Sequence, residues 1–323
     1  TAVEASAVDA PWHTRIRGSL LLSACGDALG ARFEGTPVVD PAEVDEWLAA
    51  PPDPLRWTDD TAMALVLADH LVGTGGSVDP DRLAIEFAGA WAAEPGRGYG
   101  PGAIAVLRQI HEGALWSRVA AGLFDGDGSL GNGAAMRVAP IGLVPGRPLS
   151  VVAAAARRSA AVTHTHPQAQ DGAAVQAVAV AISARTAPDP VDPDRLVAQL
   201  AVHANTAEFR TALQRVTALL RRSPDPHRVA AEVGNDVTAL GSVPAALTAY
   251  LRHPDDAAAA IRFAINLGGE TDTIDAMTGA LSGARLGDAA VPAAWLRRLE
   301  AADRIRDLGG ALEALRPDRV PGG

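Results

Sequence analysis

The sequence predicts an all-α protein, and three observations carry that expectation. Nearly every segment is rich in Ala, Leu and Val, with apolar residues recurring at a spacing of about 3.6. Alternating β-branched runs, which would mark half-buried strands, are scarce. No long linker or shift in composition divides the chain, so a single multi-helix domain over 13–315 is the simplest reading, with polar tails at 1–12 and 316–323. A chain of 323 residues buries enough surface for a substantial core. The periodicity places helices near 13–30, 58–72, 80–93, 101–116, 134–143, 149–161, 168–185, 193–203, 207–222, 226–235, 242–252, 255–266, 273–286, 292–298 and 302–315.

Two of these helices begin on acidic runs. Trp57-Thr58-Asp59-Asp60-Thr61 opens one that continues through Met63, Val66, Leu67 and Leu71, with Thr58 placed to cap it. Gly268-Gly269-Glu270-Thr271-Asp272-Thr273 opens another, whose small residues, Gly279, Ser282 and Gly283 among them, let a neighbouring backbone come close. Carboxylates at a helix start are favourable by themselves, since they meet unpaired N–H groups and the positive end of the dipole. That explains one acid per helix more readily than runs of Thr-acid-acid and acid-Thr-acid-Thr. If the two starts meet, their four carboxylates repel unless cations sit among them. Oxygen donors without cysteine suit Mg²⁺, Mn²⁺ or Ca²⁺.

Composition excludes several chemistries. Arg and Lys total 28 against 38 Asp and Glu, a balance of −10, and every one of the 28 is Arg. A chain without lysine has no Schiff-base lysine, no P-loop lysine and no lysine general base. Its acidity argues against general nucleic-acid binding or attachment to an anionic membrane. The single cysteine, Cys25, lies in an apolar run and is expected as a buried thiol without an internal disulfide. The most apolar stretch, 173–184, is too short to span a bilayer and carries Gln176. With no basic segment leading into an apolar one at the N-terminus, a soluble cytoplasmic protein is expected.

Further segments offer polar or backbone chemistry. Asp27, among small apolar neighbours in the first helix, needs a partner such as a backbone N–H, an Arg or a metal-bound water. Glu34 follows that helix beside Gly35. It reads either as a solvated end-of-helix acid or as a carboxylate turned into a cleft. Gly96-Arg97-Gly98-Tyr99-Gly100-Pro101-Gly102 permits close backbone approach and runs into a helix start, a combination that could cradle a diphosphate. The run from Gly122 to Arg137 has Asp-x-Gly spacing but lacks the terminal Glu of a calcium loop. It reads better as a second backbone cradle, with Phe124 offering a face for a base. Thr163-His164-Thr165-His166 has no third zinc ligand at a fitting spacing. One histidine lining a polar pocket and one satisfied locally is the reading that remains.

Taken together, these segments resemble the ADP-ribosylglycohydrolase family over about 16–287. The marks are Gly26-Asp27 with Glu34, Thr58-Asp59-Asp60-Thr61, Gly131-Asn132-Gly133-Ala134-Ala135-Met136-Arg137, Thr163-His164, Ser242-Val243-Pro244, and Leu267 through Thr273. The phrasing is closest to the branch that cleaves serine-linked ADP-ribose and poly(ADP-ribose), especially at Gly98-Tyr99-Gly100, Gly131 to Val138, and Gly234-Asn235 through Ser242-Val243-Pro244. The resemblance implies a compact orthogonal helical bundle with two Mg²⁺ or Mn²⁺ ions at the floor of an ADP-ribose cleft. It implies Thr58, Asp59, Asp60, Glu270, Asp272 and Thr273 as metal ligands, and Glu34, Asp59 and Asp60 as the catalytic acids. Gly98, Gly100, Gly102, Ser129, Gly131, Asn132 and Gly133 would face the diphosphate and riboses, with Phe124 against the adenine and His164 lining the pocket. The partner would be an ADP-ribosylated protein or poly(ADP-ribose), the product ADP-ribose, and the enzyme a monomer.

This chain departs from the family pattern at two positions. Glu270 stands where the family has Asp, and one extra methylene displaces the carboxylate enough to cost as much as ~10²-fold in rate. Leu130 stands where the serine-directed branch has an aromatic residue, so one-sided stacking on Phe124 is expected. The leading expectation is a metal-dependent hydrolase that releases ADP-ribose. The rival is an ADP-ribose-binding module whose Glu270 has impaired catalysis, and a ligand-free helical scaffold ranks last.

Overall fold

Asp-Pro pairs start four of the helices. Asp40, Asp79, Asp192 and Asp225 each accept a hydrogen bond from an N–H two or three residues on, while the following Pro takes a first-turn position where no N–H is needed. The computed structural model describes residues 11–186 and 189–315. Apart from Pro11 and from Trp12, which opens the first helix, the expected tails lie outside these residues. The helices are α1 Trp12–Gly30, α2 Pro41–Ala49, α3 Asp59–Gly73, α4 Pro80–Ala93, α5 Pro101–His111, α6 Trp116–Gly122, α7 Gly133–Met136, α8 Ala139–Leu143, α9 Leu149–Ala161, α10 Pro167–Thr186, α11 Pro193–Ala201, α12 Ala207–Leu220, α13 Pro226–Glu232, α14 Ala239–Arg252, α15 Ala257–Ile265, α16 Thr271–Leu286, α17 Ala293–Leu296 and α18 Ala302–Glu313. Among the described residues there is no strand. Thr36–Gly269, Leu55–Leu299 and Gly131–Thr238 form isolated bridges. The protein is all-α, as expected.

Several boundaries differ from the sequence reading for local reasons. The helix α2 was not expected, although Asp40-Pro41 carries the same start signal as the others. The expected helix 101–116 stops at His111, where the chain turns through Gly113 at φ 96° before α6 begins. The expected 134–143 helix is two short pieces, with Pro140 in the first turn of the second. In α14 the start moves back to Ala239, because the Thr238 side chain accepts from Gly241 N–H. Pro244 therefore sits inside the helix.

The core is organised around α1 and α16, which form the most extensive helix pair. All but a few of their residues are buried. Their backbones touch through small residues. A Cβ on Gly279 would lie 2.1 Å from the Leu22 carbonyl oxygen, and one on Gly26 would lie 2.2 Å from that of Asp275. Gly30 similarly meets Thr271, at 2.5 Å from its carbonyl oxygen. The neighbour admitted by the small residues of α16 is therefore α1. Ser19 Oγ reinforces the pair by donating to Ala280 O at 2.8 Å. The fully buried Cys25 sits in the same helix, its thiol pushed up by burial alone.

Gly279→Ala should therefore force the two helices apart and lower unfolding free energy by about 1–3 kcal/mol or more. Gly89 in α4 has open space around its Cα, so Gly89→Ala should be neutral or stabilising by about 0.5–1 kcal/mol. Chemical denaturation of both variants checks the contrast, and equal effects would contradict it.

Candidate active site

Asp27, near the end of α1, is completely buried and collects the start of α3. It accepts from Thr58 N at 3.0 Å, Thr58 Oγ1 at 2.7 Å, Thr61 N at 2.9 Å and Thr61 Oγ1 at 2.5 Å. This supplies the partner that the sequence demanded, and it corrects the expected role of Thr58. Thr58 occupies the cap position with extended backbone, but its hydroxyl makes no cap hydrogen bond. The buried carboxylate is the stronger acceptor and takes the Thr61 N–H that a capping hydroxyl would otherwise accept. Burial and the charge of Asp272 push Asp27 up to about 7, against the pull of these donors.

Because Gly30 lies against Thr271, the end of α1 also delivers the start of α16 to the same place. Thr271 Oγ1 donates to Gly30 O at 2.8 Å. The two acidic starts therefore meet. Asp59 is pushed up to about 8 by burial, then by Asp27 and Asp272. Asp60 is driven well above the usual carboxyl range by burial and by Asp272, Asp27 and Asp59. Its Oδ1 is buried without a hydrogen-bond partner. Glu34 borders the group: it accepts from Asp272 N at 3.4 Å, and desolvation, Asp272 and Glu270 move it upward. Of its two sequence readings, the structure supports the carboxylate turned into a cleft.

Glu270 is placed by a backbone clasp. Gly35 N donates to Gly269 O and Gly269 N to Thr36 O, each at 2.9 Å, while Glu270 N donates to Asn235 O at 3.0 Å. Gly269 at φ 73° is required here, since a Cβ would lie 2.1 Å from Asn235 O. The Glu270 side chain is long enough to cross the cleft. Its Oε2 reaches Asn132 Nδ2, at 3.3 Å, and so ties the acidic floor to the opposite loop.

The walls are the two glycine-rich loops. Asp59 N donates to Arg97 O at 2.8 Å, and Arg97 stacks 3.9 Å over the Trp57 ring while pairing with both oxygens of Glu300. Gly98 is thereby held beside Asp59. In the second loop Phe124 and Asp125 adopt left-handed backbone at φ 52° and 58°, a strained state for non-glycine residues. It presents the Phe124 ring, 62% exposed, across from Gly102. Asn132 N donates to Val237 O, and Ala239 N to Leu130 O, fixing that loop to the start of α14.

The resulting cleft has a volume of about 760 Å³, within the range of small-molecule sites. Glu34, Asp59, Asp60, Glu270, Asp272 and Thr273 line its floor, and Gly98, Gly100, Gly102, Phe124, Ser129, Gly131, Asn132, Gly133 and His164 its walls. Thr58 alone of the expected site residues does not line it, being turned to Asp27. Both histidines of the Thr-His-Thr-His run reach the cleft, and His166 Nδ1 also accepts from Gln168 N. Val237, Met63 and Arg137 line it without having been expected. Val237 is a single exposed apolar residue between polar ones, which leaves no periodic trace in sequence.

The donor chemistry suits a hard divalent cation: oxygen atoms only, carboxyls that raise one another's pKa, and a buried Asp60 oxygen lacking a partner. Among the described residues, no three acidic or histidine side chains already close on one point. The carboxylates surround the floor of the cleft without converging on it.

Fold and cleft together define an all-α protein whose polar-ligand site has an acid floor and glycine-rich walls. The ADP-ribosylglycohydrolase family model matches residues 9–321, and the chain belongs to that family. ADP-ribosylhydrolase ARH3 of Danio rerio is 35% identical, the match covering 93% of this chain and 90% of that protein. ARH3 of Homo sapiens is 31% identical over 89% of each. A solved structure of an ADP-ribosylglycohydrolase-related protein complex superposes with a TM-score of 0.74 at 30% identity, covering 94% of this chain and 98% of that one. The protein is accordingly an enzyme of the ADP-ribosylhydrolase class.

The raised carboxyls set a pH dependence. Asp27 and Asp59, at about 7 and about 8, hold protons in the folded state that the unfolded chain releases near about 4. The folded state binds more protons across that window, so stability of the metal-free protein should fall as pH rises from about 4 to 8. Denaturation midpoints measured in chelator check this, and a rise over that range would contradict it.

Proposed function

We propose that this enzyme hydrolyses the bond between ADP-ribose and its acceptor, with serine-linked or poly(ADP-ribose) substrates favoured and arginine-linked ones next. The meeting of two sequence-distant acidic helix starts on the floor of one glycine-walled cleft carries this reading. The likeness of the Gly98–Gly100 and Gly131–Val138 segments to the serine-directed branch supports the acceptor preference.

On this reading the backbones of the two loops approach the diphosphate, where N–H groups at the start of α5 meet its charge. Phe124 stacks on one face of the adenine. The distal ribose lies over the floor, its anomeric carbon beside the carboxylates, which stabilise the oxocarbenium character that develops as the acceptor leaves. Glu34, raised by burial and then by its acidic neighbours, keeps a proton near neutral pH. It gives that proton to the departing acceptor and then takes one from the attacking water. Thr58, Asp59, Asp60, Glu270, Asp272 and Thr273 are the residues that would hold two Mg²⁺ or Mn²⁺ ions. Such ions, when bound, supply Lewis acidity and offset the crowded negative charge. The Thr58 hydroxyl, with its proton committed to Asp27, keeps its lone pairs for such a contact.

One observation favours a second reading. Glu270 is engaged with Asn132, so the carboxylate that the family supplies as Asp is drawn toward the substrate loop. A binding module with little turnover would result. Incubation with serine- and arginine-ADP-ribosylated peptides in Mg²⁺ should release ADP-ribose, and Glu34→Gln should slow release by about 10²-fold or more. Tight ADP-ribose binding by calorimetry with no release from either peptide would establish the binding module instead, and Glu270→Asp should then restore turnover.

The cation assignment is tested separately. Mg²⁺ or Mn²⁺ should raise the Tm of the wild type and of Glu34→Gln, whereas Asp59→Ala and Asp272→Ala should lose that rise. Retention of the full rise in both Ala variants would remove these residues from the cation site.

A further inference from the structure

Arg137, Thr163 and His164 form a buried chain that ends at the cleft wall. The Arg137 guanidinium lies 4.4 Å from the centre of the Phe87 ring, with the residue only 1% exposed. Its Nη2 donates to Ser159 O at 3.1 Å and to Thr163 Oγ1 at 2.9 Å. A guanidinium has donors only, so the Thr163 oxygen accepts this bond. The same oxygen lies 2.7 Å from His164 Nδ1. Among the described residues the Thr163 hydroxyl makes no other hydrogen bond.

That arrangement leaves one consistent placement of protons. The hydroxyl has a single hydrogen, and Nδ1 is the acceptor it has. If Nδ1 donated instead, the hydroxyl hydrogen would be buried unpaired, which is the costlier state. Nδ1 is therefore bare, and in a neutral ring the proton sits on Nε2. Nε2 lies at the cleft wall, 3.4 Å and 3.1 Å from where a Cβ would stand on Gly131 and Gly133. Burial and the Arg137 charge hold the ring neutral by pushing its pKa down to about 3.

We propose that Arg137 and Thr163 are positioning residues that fix His164 as the neutral Nε2–H tautomer, which offers one hydrogen-bond donor to an acceptor oxygen of the ligand beside Gly131 and Gly133. The identity of the ligand, a diphosphate or ribose oxygen, rests on the ADP-ribose reading, whereas the tautomer does not. A ring held this way accepts no proton from the reacting groups, which leaves acid–base work to the carboxylates.

The test is long-range ¹H–¹⁵N correlation on full-length protein labelled in histidine, with His164→Asn used for assignment. Without ligand, His164 should show a bare Nδ1 and a protonated Nε2, unchanged from about pH 5 to 8. A protonated Nδ1, or a ring that titrates in that range, would overturn the proposal whether or not Thr163→Val folds. Thr163→Val should lose the single-tautomer pattern and weaken ADP-ribose binding about tenfold, with Thr163→Ser restoring both. An unchanged pattern in folded Thr163→Val would remove Thr163 from the chain. ADP-ribose should shift the Nε2 signal. The expected tautomer with no response to ADP-ribose would sustain the positioning chain while refuting the ligand reading.

Discussion

The backbone contact between α1 and α16 is the constraint on which the rest depends. Two helices approach this closely only where neither carries a Cβ at the crossing, and glycines on both supply that condition. The contact is short-ranged and unforgiving, so it fixes where the end of α1 and the start of α16 lie. Asp27 then extends the arrangement to α3 by taking four hydrogen bonds from Thr58 and Thr61. A steric fit of small residues thus brings three carboxylate-bearing segments to the floor of one cleft.

Gathering acids in this way is unfavourable by itself. Burial and mutual repulsion raise Asp27, Asp59 and Asp60, and the packed helices hold them together nonetheless. Such concentrated electrostatic strain is common where a fold must meet a cation or a developing positive charge. The backbone strain at Phe124 and Asp125 belongs to the same site, where a ring is displayed on a rim instead of being folded into the core. Arg97 holds one wall beside the start of α3, and bonds from Asn132 N and Ala239 N hold the other to the start of α14. Glu270 links wall and floor directly through Asn132.

Much of this was legible in the chain because it is written in local patterns. Helical periodicity identified most elements, and the acidic starts and glycine loops identified the regions that line the cleft. Where reading failed, a local signal was weak or outcompeted. The short α2 was passed over despite Asp40-Pro41, and the expected 134–143 helix is interrupted around Arg137 and Val138, outside either short helix. Thr58 has the type and position of a capping residue, yet its hydroxyl serves a carboxylate from another helix, which no local rule registers. Val237 enters the cleft from a segment read only as a loop, and Arg137 from within the expected 134–143 helix.

By itself the sequence determined the all-α class, the acidic starts, the glycine-rich loops and the absence of lysine chemistry, since each is a property of residue type and near-neighbour spacing. Tertiary structure alone decided that α1 is the neighbour of α16, that Asp27 captures α3, that Glu270 reaches Asn132, and that Arg137 reaches the Thr163 hydroxyl. These are contacts between residues far apart in the chain. Their geometry is set by how close two backbones can come and by which buried donor finds which acceptor, quantities that exist only once the helices have packed.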